Sequence, residues 1–139
     1  TALNTLSLHD ALPIWMRTQA ATRQLATMID QALKGLSMVV TDPEDATGYL
    51  LAGTPVVVIA PPSITSDTGP TQTYEWETPI IGAPVNDRER AWESIDRVME
   101  ALDPILQVDR AQPITWTGAQ TSSAPAYLVT HTQTIYKES

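Results

Sequence analysis

Residues 73–82 read TYEWETPIIG and alternate between two kinds of side chain. The positions of one parity are Thr73, Glu75 and Glu77, and those of the other are Tyr74, Trp76 and Thr78. Successive side chains of a β-strand point to opposite faces of a sheet. The alternation therefore predicts a half-buried strand, with its aromatic face in the core and its acidic face in solvent.

Four other stretches have the composition of β-strands. VVVIA at 56–60 is continuous and β-branched, which predicts a central strand covered on both faces. The other predicted strands are 37–41, 108–117 and 126–136. Pro113 lacks the backbone N–H that a sheet ladder uses, so it places its strand at an edge or a bulge. Residues 42–55 and 61–72 are rich in turn formers and are predicted to be loops.

Two amphipathic helices are predicted beside these strands. The first covers 18–36, where apolar residues recur at helical spacing. The second follows Asn86, which is expected to cap it because Glu89 lies three residues further on, and it ends at Asp103-Pro104. The resulting order is α-β-β-β-α-β-β. This order predicts an α+β fold, in which both helices pack on one face of a mostly antiparallel sheet.

The opening segment 1–15, TALNTLSLHDALPIW, fits neither pattern. Its run LNTLSLHDALPI resembles the translation of sequencing-adapter DNA, which favours a non-native or loosely ordered leader before a single domain at 16–139. Two alternatives stay open. Ser7 is a suitable cap for a short first helix, or the segment is an arm that packs on a neighbouring subunit.

The composition excludes several classes of function. The chain has 139 residues and is 42% hydrophobic, which suits one folded domain rather than a disordered chain. It has no cysteine, so disulfides, thiolate metal sites and cysteine nucleophiles are excluded. No apolar run approaches the roughly 20 residues that span a bilayer, so no membrane contact is expected. The net charge of −8 disfavours a tight grip on nucleic acid.

No motif indicates a cofactor, a metal centre or a catalytic group. His131 lies among threonines on its predicted strand, where a lone histidine is usually a surface residue. Glu75 and Glu77 are expected about 7 Å apart on one strand face, as paired catalytic carboxylates or metal ligands would be. A solvated acidic face is the simpler interpretation. An assembly or binding protein is therefore favoured, and a small enzyme that uses these two carboxylates is the alternative.

Five segments are similar to those of one known family in their order along the chain and in their pattern of residues. They are LKGLSMVVT, TPVVVIAPPSI, TYEWETPIIG, NDRERAWESIDRVMEALDPI and PAYLVTHTQTIY. Through them the chain resembles the tail terminator proteins of long-tailed bacteriophages, in particular those of actinobacterial phages. The resemblance covers nearly all of 16–139 but includes no invariant motif. Neck and tail-completion proteins, which lie between connector and tail, share much of the pattern and stay an alternative.

The resemblance implies a structural virion protein with no catalytic residue. Tail terminators form a ring, usually hexameric, on the last ring of the tail tube, where they end tube growth and join the tail to the head connector. The implied partners are further copies of the chain, the tail-tube protein, and connector or neck proteins. The implied location is the tail–head junction of a virion that is assembled in the host cytoplasm.

Three groups of residues are candidates for contacts in such a ring. A channel lined with acids would pass DNA without holding it, because DNA is densely negative. The candidate channel residues are Glu75, Glu77, Asp42, Glu44 and Asp45. The candidate contacts with a neighbouring ring, in the polar loop, are Ser63, Thr65, Ser66, Asp67 and Thr68. The candidate subunit contacts are Trp116, Thr130, Thr132 and Thr134.

Overall fold

The computed structural model describes residues 5–6, 14–66, 71–117 and 123–136, which form one seven-stranded sheet and three α-helices. The elements in chain order are β1 (Thr5–Leu6), α1 (Ile14–Leu33), β2 (Met38–Val40), α2 (Ala46–Leu51), β3 (Val56–Val58), β4 (Ser63–Ser66), β5 (Thr71–Ile81), α3 (Arg88–Leu102), β6 (Val108–Trp116) and β7 (Ala124–Tyr136). A short 3-10 helix, Pro43–Asp45, precedes α2. None of the helices described here is long and apolar enough to cross a membrane.

The strands are arranged in the order β2-β3-β5-β7, with the long strands β5 and β7 at the centre. β7 pairs with β5 on one side and with β6 and β1 on the other, and β4 joins β5 on the side of β3. The β2–β3 and β1–β7 pairs are parallel and the others are antiparallel. β6 is an edge strand, as Pro113 predicts. The mostly antiparallel α+β fold is therefore confirmed.

The main core lies between α1, α3 and one face of the sheet, which we call the helical face. The helices contribute Leu25, Ile29, Leu33, Ile95, Val98 and Leu102, and the strands contribute Val57, Tyr74, Trp76, Ile80 and Val129. Tyr74 and Trp76 are fully buried, which confirms the phase of the alternation in β5. Each fully buried large apolar side chain stabilises the fold by about 1.5–3 kcal/mol.

A second, smaller cluster covers one end of the opposite face. It contains Val56 and Val58 of β3 with Ala46 and Leu50 of α2. β3 is therefore covered on both faces, as its continuous apolar run predicts. The prediction of a loop over 42–55 is wrong, because Ala46 and Leu50 lie four residues apart and bury one side of a short helix against the sheet.

The ends of the two long helices differ from those predicted. The Asp87 carboxylate, rather than the Asn86 side chain, caps α3 by accepting a hydrogen bond from the Arg90 backbone N–H at 3.2 Å. Asp103 ends this helix, as predicted. α1 ends at Leu33 because the next two residues have positive φ, 87° at Gly35. β1 and the start of α1 lie within the segment 1–15, and the native or non-native origin of that segment stays a prediction.

Candidate functional site

Most of the candidate residues lie on the sheet face opposite α1 and α3. In the strand register, Glu75 of β5 lies between Ser63 of β4 and Thr132 of β7, and Glu77 lies beside Thr130. Directly paired residues of neighbouring strands point to the same side of a sheet, so these side chains form one surface across the strands. We call this surface the open face. Its members are Ser63, Thr65, Thr73, Glu75, Glu77, Arg110, Gln112, Thr130, Thr132 and Thr134.

The two glutamates are the accessible acids of the open face, and the threonines are more covered. Glu75 and Glu77 are exposed, whereas Thr132 and Thr134 are half-buried. Thr130 is buried, and its Oγ1 has no hydrogen-bond partner among the described residues. Thr130, one of the candidate subunit contacts, is therefore covered, because it lies between the longer side chains of Glu77 and Arg110 in the register. The role of the threonines in subunit contacts stays a prediction.

The position of β7 within the sheet limits which parts of this strand can contact another molecule. β7 pairs with β5 along most of its length and with β6 over residues 124–131. The strand is therefore internal to the sheet over this paired part, and its backbone offers no free edge there. Only its side chains on the open face are left for contacts with another molecule.

The polar stretch after β3 is partly a strand rather than a loop. Residues 63–66 form β4, which pairs with β5 from Ser63 opposite Glu75 to Ser66 opposite Gln72. Ser63 and Thr65 are exposed, and Ile64 between them packs against the main core. The loop prediction is wrong here because β4 has a single apolar residue that packs against the core, and its other side is solvated. A strand with so little apolar pattern looks like a loop in the sequence. The candidate residues Asp67 and Thr68 lie outside the described part of the chain.

The second group of acids is separate from the glutamates of β5. Asp42, Glu44 and Asp45 are all exposed and belong to the short helix that follows the edge strand β2. The Asp42 Oδ1 atom accepts a hydrogen bond from the Glu44 backbone N–H at 3.0 Å, so this carboxylate caps the helix. The structure therefore places these acids near a sheet edge, whereas Glu75 and Glu77 lie on a central strand. Across 14–66, 71–117 and 123–136, no three potential metal ligands come together.

The helical face contains a polar cluster that the sequence did not indicate. The Trp76 indole N–H donates to the Gln133 Oε1 atom at 3.0 Å, and the Thr78 Oγ1 atom lies 2.9 Å from the His131 Nε2 atom. The Trp76 and His131 rings are stacked, with centroids 6.3 Å apart. All four side chains are buried, so this cluster links β5 to β7 beneath the helices and is closed to a ligand.

His131 is not the surface residue that its neighbours in sequence suggest. It is 1% exposed, because it shares the strand phase of the apolar Val129 rather than that of the threonines. Burial lowers the pKa of His131 to about 4, and the nearby Asp109 carboxylate acts in the opposite direction. The imidazole is therefore neutral at physiological pH. The strand phase is the signal by which the burial was predictable.

Trp116 lies at the far end of β6. Its ring is half-buried and packs against the second cluster, beside Ala124, its partner in β7. Its indole N–H is buried and has no hydrogen-bond partner among the described residues. The ring thus has a clear packing role, and its proposed contact with another subunit stays a prediction.

The large exposed apolar side chains lie in and beside β2, in α2 and in β6. Those of the described residues are Leu36, Met38, Tyr49, Leu51 and Val108. Leu36 falls within the predicted first helix, 18–36, but it is exposed because that helix ends at Leu33. Leu36 lines a cleft of about 200 Å³ with Gly53, Arg90 and Arg97. Sequence reasoning missed this cleft, since its residues come from three separate segments.

A smaller cleft lies beside the C-terminal end of α3. It has a volume of about 70 Å³ and is lined by Leu102, Asp103, Leu106, Val108 and Val129. Asp103 is exposed at the end of α3, and Val108 begins β6.

No family model matches the chain, and no curated protein matches it.

Proposed function

We propose that the chain is a structural virion protein of the tail-terminator type, which forms a ring on the end of a phage tail tube. In this role it ends tube growth and joins the tail to the head connector. The resemblance of the five segments is the origin of the proposal, and the open face is the structural observation that supports it.

The groups on the open face suit the wall of a channel better than a catalytic site. Its accessible groups are the Glu75 and Glu77 carboxylates, the Arg110 guanidinium, the Gln112 amide, and the hydroxyl groups of serine and threonine, spread over neighbouring strands. The one histidine of the described residues, His131, is sealed on the other side of the sheet. An enzyme that uses the two glutamates is therefore not supported by any neighbouring acid–base partner on the described part of this face.

The charge of the open face agrees with a DNA channel. A duplex carries one negative charge per about 1.7 Å of its axis, so exposed carboxylates repel it and keep it from binding to the wall. We assign the open face to the channel, with Glu75 and Glu77 facing the DNA. Thr132 and Thr134 then line the channel beside Glu75 instead of contacting the next subunit. Asp42, Glu44 and Asp45 lie near the β2 edge, where they add negative charge.

The test is binding to purified tail tubes, followed by electron microscopy. We expect the chain to add one ring to one end of each tube and to stop further growth when free tube subunits are supplied. A chain that binds a connector ring but leaves tube growth unchanged is a neck or tail-completion protein. A chain that binds neither structure contradicts the proposal.

A further inference from the structure

We infer that two copies of this chain pair through the free edge of β2, with β2 of one copy antiparallel to β2 of the other. The two contacting surfaces are then the same surface, related by a twofold axis, so the product is a closed pair. The surface consists of β2 and the flank of α1 that lies beside it. The inference does not depend on the proposed function, since it concerns the free chain and not the chain on a tail tube.

β2 is the end strand on one side of the sheet. It pairs with β3, and no second strand of the described residues pairs with it. The Met38 N–H donates to the Pro55 carbonyl oxygen at 3.0 Å, and the Ile59 N–H donates to the Val40 carbonyl oxygen at 2.8 Å. Both of these β2 groups therefore point toward β3. Because the backbone groups of successive strand residues point to opposite sides, the N–H and C=O of Val39 point to the free edge, where they can pair with another strand.

β2 lacks the features that protect edge strands from pairing. Proteins protect such strands with charges, prolines and bulges. β6, near the opposite edge, has Asp109 and Arg110 exposed, Pro113 in its middle and a register shift between Val108 and Arg110. The segment SMVVT at 37–41, which contains β2, has neither a charge nor a proline, and its pairing with β3 is regular. β2 is therefore the edge that stays open to a second strand.

Antiparallel pairing centred on Val39 matches the edge to itself. Val39 then faces its counterpart as a hydrogen-bonded pair, in which the two residues exchange both N–H···O bonds. Met38 faces Val40 of the second copy on the side of the sheet that α2 covers. Met38 is 36% exposed, and Val40 belongs to the second cluster. Pairing therefore covers an apolar side chain that the single chain leaves in solvent.

α1 lies beside β2, runs in the opposite direction and enlarges the surface. Leu33, its last residue, comes shortly before β2, whereas Thr22 lines a cleft of about 240 Å³ with Thr41, which follows β2. Val39 is two residues, or about 7 Å, from Thr41, and the same distance along a helix takes about four residues. Ala26 of α1 therefore lies near the level of Val39, and hence near the twofold axis.

The flank of α1 beside β2 is complementary to itself in charge. Gln19, Arg23, Ala26 and Asp30 follow helical spacing and form one face. Gln19 and Arg23 line the cleft with Thr41, so this face is on the side of β2. Arg23 and Asp30 are both exposed and lie at similar distances on either side of Ala26. A twofold axis near Ala26 therefore places Arg23 of each copy beside Asp30 of the other, and these two ion pairs set the orientation.

The charges that flank β2 are arranged in the same sense. Lys34 is exposed before the strand, whereas Asp42, Glu44 and Asp45 are exposed after it. Antiparallel pairing brings the start of one strand beside the end of the other, so Lys34 of each copy lies on the side of these acids. The acids outnumber Lys34, so the balanced pairs on α1 are the better subject for a test.

The test is sedimentation velocity of the free chain over a range of concentrations, in which the wild-type chain is expected to form dimers. Arg23→Glu and Asp30→Lys should each weaken dimerisation by at least about tenfold, because like charges then face each other. The double variant, and an equimolar mixture of the two single variants, should dimerise like the wild-type chain, since opposite charges are paired again. Arg88→Glu and Asp96→Lys are the matched controls at exposed positions of α3, which packs against β5 and β7, and should change nothing.

Val39→Pro tests the strand contact itself. Proline removes the outward N–H and is tolerated on an edge strand at such a position, so the variant should fold and lose dimerisation. Circular dichroism checks the folding of every variant, and the charge variants decide the matter if this one does not fold. A wild-type chain that stays monomeric, single charge variants that dimerise normally, or a double variant that is not restored overturns the pairing. The capping of tail tubes is measured separately, so failure of the pairing and failure of the proposed function are distinguishable.

Discussion

The burial of His131 predicts that acid weakens the fold in a defined pH window. The imidazole is 1% exposed, stacks on Trp76 and lies 2.9 Å from the Thr78 hydroxyl oxygen. Its pKa is about 4 in the folded chain and 6.5 when the residue is unperturbed. Above pH 6.5 it is neutral in both states and has no effect on the pH dependence. Below pH 6.5 the His131 imidazole binds a proton in the unfolded chain but stays neutral in the folded chain. The free energy of unfolding therefore falls.

The magnitude follows from the two pKa values. One pH unit corresponds to about 1.4 kcal/mol for one proton, so the interval between 6.5 and about 4 gives a loss of about 3 kcal/mol. The loss levels off below pH 4, where both states are protonated. The exposed Asp109 carboxylate attracts the charged imidazole and reduces the loss, but burial is the larger cause.

Urea unfolding followed by circular dichroism measures this loss at pH 7, 6, 5 and 4. His131→Gln is the reference, because glutamine keeps a hydrogen-bonding group near Thr78 and does not titrate. The carboxylates titrate in both proteins and cancel in the comparison. We expect the wild-type chain to lose about 3 kcal/mol more than the variant between pH 7 and pH 4. Parallel pH profiles would refute the reasoning, as would a His131 pKa near 6.5 in an NMR titration.

Three further changes test the packing, the helix cap and the channel. Gly82→Ala should destabilise the chain by about 1–3 kcal/mol in thermal unfolding, because the added Cβ would lie 2.5 Å from a carbonyl oxygen of α3; an unchanged melting temperature contradicts the close packing. Asp87→Ala should cost about 1 kcal/mol and Asn86→Ala much less, and equal effects in urea unfolding would contradict the observed cap. Replacing Glu75 and Glu77 with lysine should make assembled rings retain duplex DNA at low salt, in a filter-binding assay where wild-type rings do not; no retention contradicts the channel assignment.

The fold class was predictable because its strongest signals are local. In β5, a period of two places Tyr74 and Trp76 in the core, and no knowledge of the neighbouring strands is needed for that inference. In β3, the continuous β-branched run indicates cover on both faces before the covering elements are known. The long elements with a regular pattern are therefore the part of this fold that can be predicted from the local sequence alone.

The missed elements depend on partners that are distant in sequence. β4 consists of SITS, and its strand conformation is set by pairing with β5. α2 is only six residues long and contains Gly48, so its stability comes from burying Leu50 against the sheet. The grouping of Glu75 with Ser63 and Thr132 required the strand register, which no single segment contains.

In the proposed function, the chain forms a ring on the tail-tube end with its open face toward the channel. Electron cryomicroscopy of tail tubes capped with this chain tests it most directly. We expect a single closed ring at one end of the tube, in which Glu75 and Glu77 line a channel continuous with the tube. A ring with these two glutamates on its outer wall, or tubes that carry no ring, would contradict it.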